Sequence, residues 1–185
     1  MNSILNQVLS EIDFAVVDLE TTGLCRKNDC VIEVAAVKII KGKIAGHFQS
    51  LIYTDYVPYA ASRVHGIDAD MLADAPSLSS VKKEFINFIN GCVLVGHNIK
   101  SFDMPFLQNS FGISEKAACV DTLKLSRIVF AEERSHRLSI VAERLGIKSL
   151  RYHRALDDTM TTAKVFLKLI KKGDSEFKIL KDIIA

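Results

Sequence analysis

Hydrophobic and polar positions alternate through residues 14–20, FAVVDLE, and predict a strand. Phe14, Val16, Asp18 and Glu20 fall on one face and Ala15, Val17 and Leu19 on the other, because strand side chains alternate with period two. A strand with a buried body therefore ends by aiming two carboxylates the same way. Thr21, Thr22 and Gly23 follow, residue types that end strands and let backbone approach a ligand closely. Residues 31–40 (VIEVAAVKII) predict a second strand, Lys41-Gly42 a hairpin turn and residues 44–53 its partner. The sheet has an antiparallel start.

Elsewhere the spacing turns helical. Residues 3–11 predict a short amphipathic helix through Ile4, Leu5, Val8 and Leu9 that covers an edge of the fold. A loop with Pro58 is expected to lead through His65-Gly66-Ile67 to a short helix at 69–73. Leu78, Val81, Phe85 and Phe88/Ile89 predict a helix over 78–90, ended by Gly91. Residues 92–95 are wholly apolar, as in a strand covered on both faces. A helix is expected to open near Ser101, with Asp103 and Pro105 acceptable in its first turn. A strand at 117–120 and helices at 121–130, 137–145 and 156–171 complete the pattern. Strands first, then strands alternating with helices, indicate an α/β fold with a mixed sheet covered on both faces.

The last helix distinguishes two adjacent acids. At about 100° per residue, Ala155, Leu156, Met160, Ala163, Phe166, Leu167 and Ile170 gather on one broad face. Asp157 falls opposite, among Lys164, Lys168 and Lys171, and reads as a solvated acid. Asp158 falls at the edge of the apolar face near Thr162, Val165 and Leu169, where a lone charge is costly and a metal is the natural partner.

Composition narrows the function classes. The chain has 185 residues, 49% of them hydrophobic, with three Pro and nine Gly, and fits one domain over 1–185. A net charge of +2 does not by itself mark a nucleic-acid binder. Cys25, Cys30, Cys92 and Cys119 lack the second pair a zinc site needs and read as reduced thiols in a cytoplasmic protein. The N-terminus has no basic segment and is not expected to be a signal peptide, and no apolar run approaches the ~20 residues of a membrane helix.

Three motifs stand in order: Asp18-x-Glu20-Thr-Thr-Gly-Leu24, His97-Asn98 with Phe102-Asp103, and His153 five residues before Asp158. Together they resemble the DEDDh (DnaQ-like) 3′–5′ exonucleases, a family that includes the proofreading subunit of bacterial replicative polymerase and PolC-type exonuclease domains. The likeness runs from about Ile12 to Lys172. It implies an RNase H-like fold with a five-stranded mixed sheet and the site at its strand ends. It also implies two divalent cations, Mg²⁺ or Mn²⁺, held by Asp18, Glu20, Asp103 and Asp158, with His153 as general base. By the same likeness, backbone at Thr21 and Thr22 meets the terminal nucleotide and Leu24 packs on its base. His97, Asn98 and Phe102 line that pocket, Ile67 walls it, and His65 is either a substrate contact or a turn residue. Asp121 reads as an N-terminal helix acid rather than a ligand.

The expected reaction is removal of 5′-mononucleotides from the 3′ end of single-stranded or frayed DNA, in proofreading or repair. An exoribonuclease of oligoribonuclease or tRNA-trimming type uses the same residues, and an inactive binding or polymerase-docking module is a third class. The expected partner is nucleic acid, with a DNA polymerase subunit as a further candidate and no membrane. Arg151 and Arg154 flank His153 and are favoured for steering the strand, whereas Lys82-Lys83 and Arg134-His136-Arg137 read as solvated faces. Residues 173–185 form an extension that either packs back or docks a partner through Phe177, Leu180 and Ile184.

Overall fold

A computed structural model describes residues 2–148, 154–173 and 175–184. Strand β1 (Phe14–Thr21) pairs antiparallel with β2 (Val31–Ile40), which pairs antiparallel with β3 (Lys43–Leu51). On the other side β1 runs parallel to β4 (Val93–Gly96), and β4 parallel to β5 (Cys119–Asp121). The five-stranded order is β3-β2-β1-β4-β5. Because β1, β4 and β5 run the same way, their C-terminal ends share one edge of the sheet. Ligands of open α/β sheets bind outside such ends.

The alternation read from β1 holds. Phe14 and Val16 enter one core cluster with Val37, Ile39, Ala163, Val165, Phe166 and Leu169, whereas Ala15, Val17 and Leu19 enter another with Val81, Phe85 and Ile89. The first face is covered by α6 (Thr122–Val129), α7 (Leu138–Arg144) and α8 (Ala155–Lys172), and the second by α4 (Leu78–Ile89). Phe14 and Phe166 meet edge to face with centroids 4.9 Å apart.

Four local expectations change. The helix over 3–11 is instead α1 (Asn2–Leu5) and a separate tight turn at Leu9–Glu11. Val8 is exposed and bridges Ile179, while Leu9 N–H donates to the Lys178 carbonyl and Leu180 N–H to that of Gln7. Pairing with the chain's own tail replaces helical hydrogen bonds there. Residues 59–65, expected as loop, form α2 (Tyr59–His65), entered through Pro58 and ended by Gly66 in the left-handed region. It precedes α3 (Ala69–Leu72). The helix expected near Ser101 opens at Asp103 as α5 (Asp103–Phe106) and widens into a π-type turn over Leu107–Phe111. In α8 the inward stripe includes Thr159, Thr161 and Thr162, while Leu156, Met160 and Leu167 are only partly covered. Thr159 and Thr161 donate their hydroxyls to the Ala155 and Asp157 carbonyls, so burial leaves these hydroxyls satisfied.

The extension packs back. Phe177, Leu180 and Ile183 are buried in the same cluster as Phe14, and α9 (Leu180–Ile183) leads to Ile184, which bridges Val120 of β5.

Candidate active site

Asp18 and Glu20 leave the C-terminal half of β1 on the face that α8 covers. The register shifts between Glu20 and Thr21, after which Thr21 still pairs with Val31. Asp158 comes from the first turn of α8, and ligand oxygens of Asp18, Glu20 and Asp158 lie within 4.8 Å of one another. Asp103, at the start of α5, is 2% exposed, and its Oδ1 is buried with no hydrogen-bond partner among the described residues. His153 lies outside the described residues, as do Arg151 and Tyr152.

Crowding shows in the acidities. Burial, then the charges of Asp103, Glu20, Asp158 and Glu33, hold Asp18 well above the usual carboxylate range. Burial, then Asp158, Glu33 and Asp103, push Glu20 up to about 8, against a small opposing pull from Arg154. Asp103 is raised to about 7, mainly by burial and also by Asp121, although backbone N–H groups of Asp103 and Leu19 oppose the rise. Like charges pressed together without water are what a divalent cation relieves. The donor set, all carboxylate oxygen with one buried oxygen unsatisfied at Asp103, fits a hard cation.

Glu33 is a site residue that sequence reasoning missed. It sits opposite Glu20 in the β1–β2 register and is fully buried. Its carboxylate accepts from Gln49 Nε2 at 2.7 Å, from Arg154 Nη2 at 2.9 Å and Nε at 3.3 Å, and from the Ala155 N–H at 2.9 Å. Arg154 offers no side-chain acceptor to the start of α8, so a strand carboxylate caps that helix instead. Burial alone would raise Glu33, but Arg154, the Ala155 N–H and Gln49 outweigh it and hold the group below its ordinary value. Glu33 thereby ties the start of α8 to β2 one turn before Asp158. The available signal was a lone Glu in the apolar run VIEVAAV with a basic residue before Ala155.

Beside Glu20 lies a cavity of about 370 Å³ lined by Thr21, Thr22, Gly23, Leu24, His65 and Phe102, among others. Leu24 is 85% exposed at its lip. The turn beneath is closed by its own hydrogen bonds: Thr22 N–H donates to the Cys30 carbonyl at 2.9 Å, Thr21 Oγ1 donates to the Gly23 carbonyl at 2.6 Å, and the Asp29 carboxylate accepts from Cys25 N–H at 2.8 Å. A Cβ on Gly23 would stand 2.6 Å from the Asp29 oxygens, so a larger residue there would displace the carboxylate that holds the turn. The Thr22 N–H is thus engaged within the turn rather than offered to a ligand.

Three expected pocket residues lie elsewhere. Ile67 is fully buried with Ile32 and Leu72, and its N–H donates to His65 Nδ1 at 3.1 Å, so it orients the histidine instead of walling the cavity. His97 and Asn98 line a different cavity, over the ends of β4 and β5. There Asp121 accepts from Leu123 N–H at 2.9 Å, capping α6, and from Asn98 N–H at 2.8 Å, holding Asn98 at a φ of +63°. His97 Nδ1 and Thr122 Oγ1 lie 2.9 Å apart.

A family model described as exonuclease (RNase_T) matches residues 15–166. The chain belongs to this exonuclease family. PolC-type DNA polymerase III of Caldanaerobacter subterraneus subsp. tengcongensis is 36% identical over 88% of the chain, and that of Bacillus subtilis (strain 168) is 36% identical over 90%. The chain spans only 12% of the length of either polymerase. Among solved structures, exonuclease X in complex with 5′-overhanging duplex DNA superposes with a TM-score of 0.70 at 24% identity, covering 87% of this chain and 93% of that one. E. coli exonuclease I in complex with a dT13 oligonucleotide superposes with a TM-score of 0.77 at 16% identity, covering 89% and 42%. At these identities the superpositions establish the shared RNase H-like fold. No helix among the described residues is long and apolar enough to cross a membrane.

Proposed function

We propose that the chain is a 3′–5′ exonuclease domain, spanning 1–185, that uses two Mg²⁺ or Mn²⁺ ions to release 5′-mononucleotides from single-stranded or frayed DNA 3′ ends. The observation that carries this reading is the convergence of Asp18, Glu20 and Asp158 within 4.8 Å, directly beside a cavity that begins at Glu20.

In this reading Asp18, Glu20, Asp103 and Asp158 hold the cations. When bound, such ions activate water and neutralise charge that develops on the phosphate and the leaving oxygen. The chain's residues do the rest. The cavity from Thr21 to Phe102 takes the last nucleotide, with Leu24 against its base and His65 at its wall. That placement leaves the scissile phosphate at the carboxylates. Water adds to phosphorus as the P–O3′ bond breaks, leaving a 3′-hydroxyl on the shortened strand and a 5′-phosphate on the released nucleotide. We assign the water's proton to His153 on its sequence position alone, since a neutral imidazole accepts a proton near pH 7.

The PolC-type relatives support DNA as substrate, a cytoplasmic setting and association with a polymerase. The test is release of nucleotides from 5′-labelled DNA and RNA single strands of one sequence with Mn²⁺, Mg²⁺ or EDTA. A ladder shortening from the 3′ end, faster on DNA and lost with EDTA or Asp18→Ala, is the expected result. Faster shortening of RNA would move the assignment to an exoribonuclease, and no shortening of either strand by folded protein would overturn it.

A further inference from the structure

The cavity over the ends of β4 and β5, about 610 Å³, is walled by Arg127, Arg134 and Arg137 together with His97, Asn98 and His136. Arg127 projects from α6, and the other two arginines stand on the connection from α6 to α7. That connection is cross-linked by side-chain contacts. Arg144 pairs with the Glu133 carboxylate at 2.6 Å and donates to the Ser135 carbonyl at 2.6 Å. His136 lies 3.1 Å from Ser126 Oγ and 3.0 Å from the Glu133 carbonyl. Glu133, the acid beside Arg134, is thus taken up by Arg144. Among the described residues, no carboxylate forms an ion pair with Arg127, Arg134 or Arg137.

Three like charges held around one open cavity repel one another, and a polyanion turns that repulsion into binding energy. Guanidinium groups suit phosphate oxygens through paired N–H donors. The cavity also shares an edge with the reaction centre. Asn98 opens the connection that ends in Asp103, and Asp121, which holds Asn98, contributes to the field at Asp103. The terminal-nucleotide cavity lies over the end of β1, and the basic cavity lies over the parallel ends of β4 and β5.

We propose that Arg127, Arg134 and Arg137 grip successive phosphates of the substrate strand on the 5′ side of the scissile bond, giving the enzyme a hold on the strand that outlasts each cleavage. The identity of the strand rests on the exonuclease reading; the presence of a polyphosphate site does not. Three guanidiniums match a run of phosphodiesters better than a single phosphate, which needs one or two.

The test measures binding without turnover, by anisotropy of 5′-labelled oligothymidylates in EDTA. Wild type is compared with an Arg127→Ala/Arg134→Ala/Arg137→Ala variant and with the corresponding triple lysine variant. All three positions are exposed, so equal melting curves are expected. Wild type should gain affinity steeply between two nucleotides and about eight, within the usual range of single-strand site sizes. The alanine variant should lose that gain, at least tenfold on the long strand, while matching wild type on the dinucleotide. Its dependence of log K on log salt should flatten by roughly 2, at ~0.7 per lost phosphate contact. The lysine variant should keep most of the gain. Unchanged affinity of the alanine variant for the long strand overturns the proposal. Equal loss on the dinucleotide also overturns it, as does competition by inorganic phosphate as effective as that by the long strand. Failure to hydrolyse any strand with metal present would overturn the exonuclease reading alone, and the binding series would still decide this site.

Discussion

Glu33 accepts a hydrogen bond from Arg154 at 2.9 Å across 121 residues of sequence, from the strand position paired with Glu20. This contact, together with the Ala155 N–H on the same carboxylate, fixes the start of α8 against the sheet. Glu33→Gln retains one acceptor oxygen but faces Arg154 with no charge. We expect Mn²⁺ affinity and kcat to fall roughly 10–100-fold, the range for residues that orient metal ligands, with KM little changed. Glu33→Ala leaves a guanidinium and an N–H without their partner and should also cost about 3 kcal/mol of stability. Metal titration beside thermal melting separates the two effects, and full metal affinity in Glu33→Gln would exclude a positioning role.

The raised acids reverse the usual pH dependence of a carboxylate protein. Glu20 at about 8 and Asp103 at about 7 bind protons more tightly folded than unfolded. Without metal, stability should therefore increase as pH falls from about 8.5 towards 6. Each kcal/mol relieved raises Tm by roughly 2–4 °C in a chain of this size. Glu33 has the opposite sign: its lowered value gives stability above its unfolded value that is lost as pH falls through its folded one. Melts without metal should thus show a maximum on the mildly acidic side, and saturating Mg²⁺ at pH 8 should abolish the alkaline decline.

Asp157 and Asp158 are expected to separate cleanly. Asp158→Asn removes one charge from a crowded cluster, so it should raise the Tm of metal-free protein while reducing activity to background. Asp157→Asn should leave both near wild type, because Asp157 contributes no oxygen to that cluster. Parallel melting and nucleotide-release assays check the pair.

Leu24 offers a change in binding with no change in fold. At 85% exposure it contributes little to the core, so Leu24→Ala should leave Tm unchanged. If the side chain packs on the terminal base, KM rises by up to about tenfold from lost apolar burial, with kcat preserved. Gly23→Ala should behave differently, since its Cβ collides with Asp29. It should lower Tm and kcat/KM together.

Phe177 tests the C-terminal extension. It is buried against the sheet's core, and a Cβ on Gly173 would stand 2.4 Å from its ring. Phe177→Ala should destabilise the protein by about 3–5 kcal/mol, read by urea melting.

Period-two and helical spacing made the sheet and the long helices legible because burial selects side chains face by face. The inward direction of Asp158 was legible for the same reason. The short elements were not. α2 has Tyr59 and Val64 exposed and so little apolar stripe to betray it, and the N-terminal helix loses its second half to pairing with residues 178–180. Shared chemistry along a motif also misled. His97-Asn98 and Phe102 are close in sequence, yet with a left-handed turn at Asn98 between them they line different cavities. Glu33 escaped notice because a carboxylate in an apolar strand reads as an outward residue until its partner, far along the chain, is placed. The clustering of Arg127 with Arg134 and Arg137 depends likewise on how a loop folds back, which spacing does not encode.

The carboxylates on β1 belong to the earliest strand of the chain, whereas Asp158 and the anchor for Glu33 arrive on one of its last helices. Synthesis proceeds from the N-terminus, and contacts this distant in sequence form late. A nascent chain therefore carries an incomplete reaction centre that cannot be armed until α8 docks. The same interlock works in reverse. Any disturbance that peels α8 from the sheet, short of melting the strands, would switch the nuclease off before the protein unfolds.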